Sequence, residues 1–133
     1  MLKMRGTRQL ADFILAHYSG RVVEVGVGYE GDVARRLQNL DLVATDRSSR
    51  NLDGVPVVGD DIFFPRLELY REASLLYSIR PPLEIQLAMG SVARLVGADV
   101  LIRPLGDEIA DLPGFSRTLV NQGQARFYLF RLL

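Results

Sequence analysis

The sequence predicts one α/β domain spanning residues 1–133, a mostly parallel sheet with flanking helices that closes on an antiparallel hairpin. Three observations predict it. Short apolar runs ending in glycine or acid alternate with stretches of helical periodicity, the pattern of chains built from strand–helix–strand units. A glycine-rich run, Gly26-Val27-Gly28-Tyr29-Glu30-Gly31, separates the first apolar run from a helical stretch. The chain then ends on two further runs, Leu119-Val120 and Ala125 to Leu132, around Asn121-Gln122-Gly123, which reads as a hairpin turn.

Each element follows from local chemistry. From about Thr7 to Tyr18, the residues Leu10, Phe13, Ile14, His17 and Tyr18 form a helical stripe, and Ser19-Gly20 ends it because glycine tolerates the left-handed backbone of a helix terminus. Val22 to Val25 is a short strand. Val33, Ala34 and Leu37 place a helix over about Asp32 to Gln38, and Leu42 to Thr45 is a second strand ending at Asp46. Arg47 to Asp53 is polar and too short for a full crossover helix. Val55 to Val58 is a strand, Phe63 to Tyr70 holds a short helix, and Ser74 to Ile79 is a buried strand. Pro81-Pro82 suits the first turn of a helix, where a missing N–H is harmless, and Ile85, Ala88, Met89, Val92, Leu95 and Val96 continue its stripe. Asp99 to Ile102 is another strand, and Pro104 to Ser116 an acidic loop. Parallel strands linked in this way use right-handed crossovers.

Apolar residues make up 48% of the chain, enough for a core. The absence of cysteine excludes disulfides, thiolate metal sites and a cysteine nucleophile. Sixteen basic and sixteen acidic residues cancel, so a nucleic-acid partner held by bulk attraction is not indicated. No apolar run reaches the length of a membrane span. The basic start (Lys3, Arg5, Arg8) leads into a stretch broken by Asp12 and too short for a signal peptide. The expectation is a soluble, cytoplasmic protein.

The run at 26–31 satisfies G-x-G-x-x-G in the strand-to-helix context that gives the pattern meaning. The first glycine permits a tight turn, the second lets a ligand lie against bare backbone, and the third allows close packing. Asp46, twenty residues after Gly26 at the end of the next strand, is placed to accept ribose hydroxyls. A turn that only joins strand to helix is the alternative. Context, spacing and acid together favour a nucleoside pocket. Charge then selects its occupant. A dinucleotide brings an anionic pyrophosphate to the helix N-terminus, where Glu24, Glu30 and Asp32 would repel it. The sulfonium and ammonium of S-adenosylmethionine suit those acids, although Asp32 also fits a helix N-cap.

Glu24-Val25-Gly26-Val27-Gly28 resembles the first motif of class I methyltransferases, with an acid two residues before the first glycine. Asp46 matches their ribose-binding acid, and Gly59-Asp60-Asp61 is similar to the later acid that faces the adenine amino group. Over the whole chain, residues 24–28, 44–46, 60–63 and 77–82 resemble a small uncharacterised archaeal protein family with a methyltransferase-like Rossmann fold. The resemblance implies a cofactor site at Glu24, Gly26, Gly28, Gly31, Asp46, Asp60 and Asp61, with S-adenosylmethionine as cofactor. Three departures stand against full activity. The helices expected after the second and fifth strands are short or absent, and there is no room for a target-recognition segment. The polar-Pro-Pro-aromatic run of amino-methylating enzymes is here Arg80-Pro81-Pro82-Leu83. An arginine cannot accept a hydrogen bond from an amine, so amino methylation is not expected. The leading function is a domain that binds S-adenosylmethionine or its demethylated product, with the acceptor unspecified. A non-catalytic module for assembly or ligand sensing is the alternative, and an NAD-type domain the third.

Ser78, Arg80 and Arg103 fall near the C-terminal ends of strands, where open parallel sheets bind ligands. The two arginines suit an anion, either the methionine carboxylate or a substrate group; the competing reading pairs them with Asp60 and Asp61. His17 is expected to be structural and Tyr77 part of the core. Tyr29 either covers the ligand or lies exposed in the loop. Asp107, Glu108 and Asp111 offer too few oxygen ligands for magnesium or calcium, so no metal is expected. Missing helices would leave apolar surface uncovered, which predicts a homodimer, with Phe127, Tyr128 and Phe130 as its candidate surface.

Overall fold

Val22 and Val23 point to opposite faces of one strand, yet both are fully buried, so their segment is an inner strand covered on each side. In the computed structural model, which describes residues 5–133, this is β1 (Arg21–Glu24). It lies between β2 (Asp41–Asp46) and β5 (Ala73–Ile79), parallel to both. The remaining strands are β3 (Arg50–Leu52), β4 (Val55–Gly59), β6 (Asp99–Arg103), β7 (Phe115–Gln122) and β8 (Ala125–Leu132), and the sheet order is β3-β4-β2-β1-β5-β6-β8-β7. Strands β4, β2, β1, β5 and β6 are parallel, while β3 and the β7–β8 hairpin are antiparallel to their neighbours. The chain builds outward from β1 in one direction and then in the other. The crevice between β1 and β5 is therefore the topological switch point, where such sheets bind ligands.

Side-chain alternation distributes the core. Helix α1 (Thr7–His17) sets Leu10, Phe13 and Ile14 against Val22, Leu75, Leu101 and Phe127 on one face. Helix α3 (Leu83–Val96) sets Met89, Val92 and Ala93 against Val23, Leu76, Val100 and Phe130 on the other. Pro81-Pro82 lies ahead of α3 and not in its first turn, because a residue preceding proline avoids the helical region. Gly97 ends the helix at φ +79°, its N–H reaching Ala93 O at 2.8 Å. The helix after the glycine loop, α2 (Asp32–Arg36), is shorter than its periodicity predicts, and the helix expected over Phe63 to Tyr70 is a single 3₁₀ turn at Leu67–Leu69.

The largest departure from expectation is β3. After β2 the chain returns within the sheet plane and turns into β4 at Asp53-Gly54, where both residues have positive φ (48° and 92°). Such a turn matches the twist of a two-residue hairpin, and Asp-Gly is its strongest sequence signal. A strand thus takes the place of a crossover helix, which leaves Leu42, Val43 and Val58 only half-buried. The C-terminal hairpin turns at Gly123-Gln124, one step later than predicted, with Gln122 paired to Ala125. Its aromatics are not a surface. Phe127 and Phe130 are buried because β8 pairs with the inner strand β6 and alternates between the two cores. Tyr128 lies half-buried under the Arg117 guanidinium. The predicted homodimer surface at these residues is therefore overturned. Among the described residues, no helix is long and apolar enough to cross a membrane.

The 104–114 segment has no regular structure, and one buried side chain ties it down. Gln86 of α3 donates to Pro81 O (3.1 Å) and Glu108 O (2.8 Å), and its Oε1 accepts from Ala110 N–H (2.8 Å). Gln86→Leu leaves those backbone groups without partners at similar volume. We expect it to lower stability by about 2–3 kcal/mol, measured as a shift of the urea midpoint. An unchanged midpoint would show that the segment is held by its apolar contacts alone.

Candidate functional site

Where β1 stops, its backbone groups still need partners, and the neighbouring strands supply them. Val25 N–H donates to Tyr77 O and Val27 N–H to Thr45 O, each at 2.9 Å. The Thr45 hydroxyl donates to Glu24 O (2.9 Å) and the Ser78 hydroxyl to Val25 O (2.6 Å). Ser78 is thus a buried support of the loop, and its hydroxyl proton is engaged there. Gly26 and Gly28 adopt φ +70° and +62°, and a Cβ built on either would meet no atom within 4 Å. Bare main chain faces open space at both positions. Gly31 differs: its Cβ would crowd Arg35 and Leu52 at 3.1–3.2 Å, so it serves the packing of α2 on β3.

Two cavities meet on this loop. One, of about 190 Å³, is bordered by Asp46, Arg47, Asp60, Asp61, Phe63 and Ile85. The other, of about 280 Å³, is bordered by Thr7, Val27, Gly28, Tyr29, Glu30 and Asp32. Gly26, Ile79 and Arg80 belong to both walls. Each alone is small for a nucleoside cofactor, but joined they reach the usual size of a ligand pocket. Glu24, Gly31 and Arg103 line neither cavity.

Asp46 lies beside the loop with most of its acceptor capacity engaged. Its Oδ2 accepts from Gly28 N–H at 3.1 Å and from Arg50 at 3.0 Å, and its Oδ1 from Arg47 N–H at 2.9 Å. Arg50 also donates to Gly28 O and stands 5.9 Å from the centre of the exposed Tyr29 ring. Sequence reasoning missed Arg50 because it rides on β3; the Asp53-Gly54 turn was the available signal. Phe63, an aromatic wall of the first cavity, was missed as well.

The two acids after β4 separate. Asp60 is buried, and both its oxygens are engaged: Arg66 N–H at 3.0 Å and the Tyr70 hydroxyl at 2.7 Å. Asp61 is exposed and gives only Oδ1, to Phe63 N–H at 2.9 Å. Neither pairs with Arg80 or Arg103, so the rim-neutralising reading of those arginines does not hold among the described residues.

Electrostatics around the loop also differ from the simple count of acids. Glu24 is buried and accepts from the Tyr77 hydroxyl at 2.6 Å. Burial above all, with some repulsion from Asp46, pushes its carboxyl up to about 8 against the opposing Tyr77 hydrogen bond. Burial thus favours its neutral form, and the carboxyl is held by Tyr77 beneath the loop, outside both cavity walls. Asp32 is paired with Arg35. Glu30 remains in the wall of the second cavity with no ion pair among the described residues. His17 is structural, its Nδ1 at 2.8 Å from Phe13 O and its ring stacked on Phe13. Asp111 pairs with Arg117.

Comparison with known proteins agrees with this architecture. Residues 7–131 match a family described as Uncharacterised protein family (UPF0146). A UPF0146 protein of Archaeoglobus fulgidus is 41% identical over 126 residues, covering 92% of this chain and 93% of the relative. One from Methanothermobacter thermautotrophicus is 45% identical over 112 residues, covering 81% and 80%. Among solved structures, the S-adenosylhomocysteine-bound methyltransferase PaMTH1 of Podospora anserina superposes with a TM-score of 0.68 at 10% identity, covering all of this chain and 80% of that one. The putative methyltransferase yhhF from Escherichia coli gives 0.62 at 10% identity, covering 99% and 87%. At such identities the likeness is one of fold, and the fold is methyltransferase-like.

A buried acid whose carboxyl is raised on folding makes stability fall with pH. Below about 4.5 Glu24 is protonated in both states; between there and about 8 the unfolded chain gives up a proton that the folded chain keeps. Wild-type protein should thus lose more thermal stability from pH 5 to pH 8 than Glu24→Gln, which cannot titrate. Parallel melting curves across that range would show Glu24 to be ionised in the fold.

Proposed function

This chain belongs to the uncharacterised protein family UPF0146, and on that premise we propose that it binds S-adenosylmethionine, or the demethylated product, across the two joined cavities at the switch point. The carrying observation is the glycine cradle. Gly26 and Gly28 present bare backbone to open space, Gly26 belongs to both cavity walls, and a carboxylate, Asp46, stands beside them. The first cavity suits the adenosine. Asp46 has acceptor capacity left on Oδ1 for a ribose hydroxyl, Asp61 has a free oxygen for an exocyclic amine, and Phe63 and Ile85 give apolar contact. The second suits a cationic amino-acid tail, with Glu30 and Asp32 in its wall. Asp60, in the wall of the first cavity, holds the 60–66 turn, while Gly31 and Glu24 act one layer behind, at the start of α2 and the floor of the loop.

When bound, S-adenosylmethionine supplies an electrophilic methyl group. The chain's own residues would bind it, orient it and exclude water. Transfer needs chiefly an in-line approach of the acceptor, and a dedicated base is not required for every acceptor. A module that binds without transferring is the second reading. It is favoured by Arg80 in the position where amino-methylating enzymes carry a polar acceptor, and by Arg50 resting on Asp46.

Calorimetric titration with S-adenosylmethionine, S-adenosylhomocysteine and NAD is expected to give saturable binding of the first two and none of the third. NAD binding alone would reject the proposal, and silence from all three would leave assembly as the role. Asp46→Asn should weaken S-adenosylhomocysteine binding by about 1–2 kcal/mol through loss of an ionised acceptor, whereas unchanged affinity removes Asp46 from the ribose site. Arg50→Ala frees an Asp46 lone pair and should raise affinity severalfold. A drop in affinity would instead make Arg50 part of the binding wall.

A further inference from the structure

Strands β5 and β6 end side by side at the switch point, and each ends in an arginine. Ile79 is in register with Arg103, and Arg80 N–H donates to Arg103 O at 2.7 Å, extending the ladder by one step. Arg80 then takes φ +55°, a left-handed conformation that is costly for a residue with a side chain. This bend turns the chain into Pro81-Pro82 and sets Arg80 where the two cavities meet. Two guanidiniums on neighbouring strand ends repel each other unless an anion lies between them.

No protein group fills that role. Neither arginine takes part in an ion pair among the described residues, and residues 1–4, Met-Leu-Lys-Met, carry no side-chain carboxylate. Of the acids in the two cavity walls, Asp46 is engaged by Gly28, Arg47 and Arg50, Asp60 by Arg66 and Tyr70, and Asp32 by Arg35, while Asp61 and Glu30 keep free oxygens but form no ion pair with either arginine. Arg103 Nη1 is buried without any hydrogen-bond partner, although buried guanidinium N–H groups are normally satisfied. Burial first, and the neighbouring Arg80 charge second, lower the Arg103 guanidinium from its ordinary range. An exposed arginine in a strained backbone thus stands beside a half-buried one with an unpartnered Nη1, a cation pair whose chemistry suits a compact oxyanion. The guanidinium fork matches carboxylate and phosphate oxygens alike.

Building on the nucleoside reading, we propose that Arg80 and Arg103 form an anion subsite that holds a carboxylate or phosphate group of the methyl acceptor beside the shared wall of the two cavities. The acceptor is then an anionic molecule, and the arginine that removes amino-methylating chemistry from this position becomes its anchor. The subsite positions the acceptor, and the group it holds need not be the one that receives the methyl.

Binding of inorganic phosphate, read by calorimetry at fixed ionic strength, tests the subsite without any need for turnover. Wild-type protein should bind it saturably, with and without S-adenosylhomocysteine. Arg80→Gln and Arg103→Gln should each weaken phosphate at least tenfold, while Arg71→Gln, just before the opposite end of β5, leaves it unchanged. S-adenosylhomocysteine and 5′-methylthioadenosine, which lacks the amino-acid tail, separate the two sources of an anion. If both arginine variants keep wild-type affinity for S-adenosylhomocysteine, the anion belongs to the acceptor. If they lose that affinity but keep 5′-methylthioadenosine, the pair holds the methionine carboxylate and the acceptor assignment is overturned. Absence of saturable phosphate binding in a wild-type protein that binds S-adenosylhomocysteine also overturns it. Phosphate binding in a protein that binds no nucleoside would instead leave the anion subsite standing and sink the cofactor reading.

Discussion

The functional architecture depends on how one short strand ends. β1 stops at Glu24, and its next backbone groups are taken up by Tyr77, Thr45, Ser78 and Asp46 from the strands on either side. These partners come from the neighbouring strands, and a Cβ built at Gly26 or Gly28 would meet no atom within 4 Å. The two positive-φ glycines then present main chain without side chains to the crevice. A loop satisfied by its own side chains would have closed the same space.

The same arrangement explains why acids around the loop do not act as one negative patch. Glu24 lies on the inner side, where burial favours its neutral form and Tyr77 orients it. Asp32 and Asp46 are matched by Arg35 and Arg50. Asp60 is a structural acceptor for the turn that carries Phe63. Glu30 and Asp61, which form no ion pair among the described residues, lie in the walls of separate cavities. Polarity along the groove is thus set by pairing and burial, and the number of carboxylates is a poor guide to it.

Economy of architecture has consequences of its own. With an in-sheet strand in place of a crossover helix, and an irregular segment tied to Gln86 after β6, the chain builds its switch-point crevice on a small frame. The in-plane return through β3 is what brings Arg50 onto Asp46 and Gly28. The paired arginines at the ends of β5 and β6 need only the parallel ladder that joins those strands.

Periodicity and glycine spacing alone determined the α/β class, nearly every strand, the two long helices and the loop at 26–31, because alternation, helical stripes and steric freedom are local properties of the chain. Tertiary structure decided which acids remain available, since burial and ion pairing depend on residues far away in sequence. It placed Glu24 under the loop, Gly31 in a packing contact, Phe127 and Phe130 inside the core, and Arg80 beside Arg103 across twenty-three residues of chain. It also revealed β3, whose Asp53-Gly54 signal was legible but whose three residues were too few for a strand pattern to register. Charge and hydrogen-bond capacity at a site are sums over spatial neighbours, and only the folded chain chooses those neighbours.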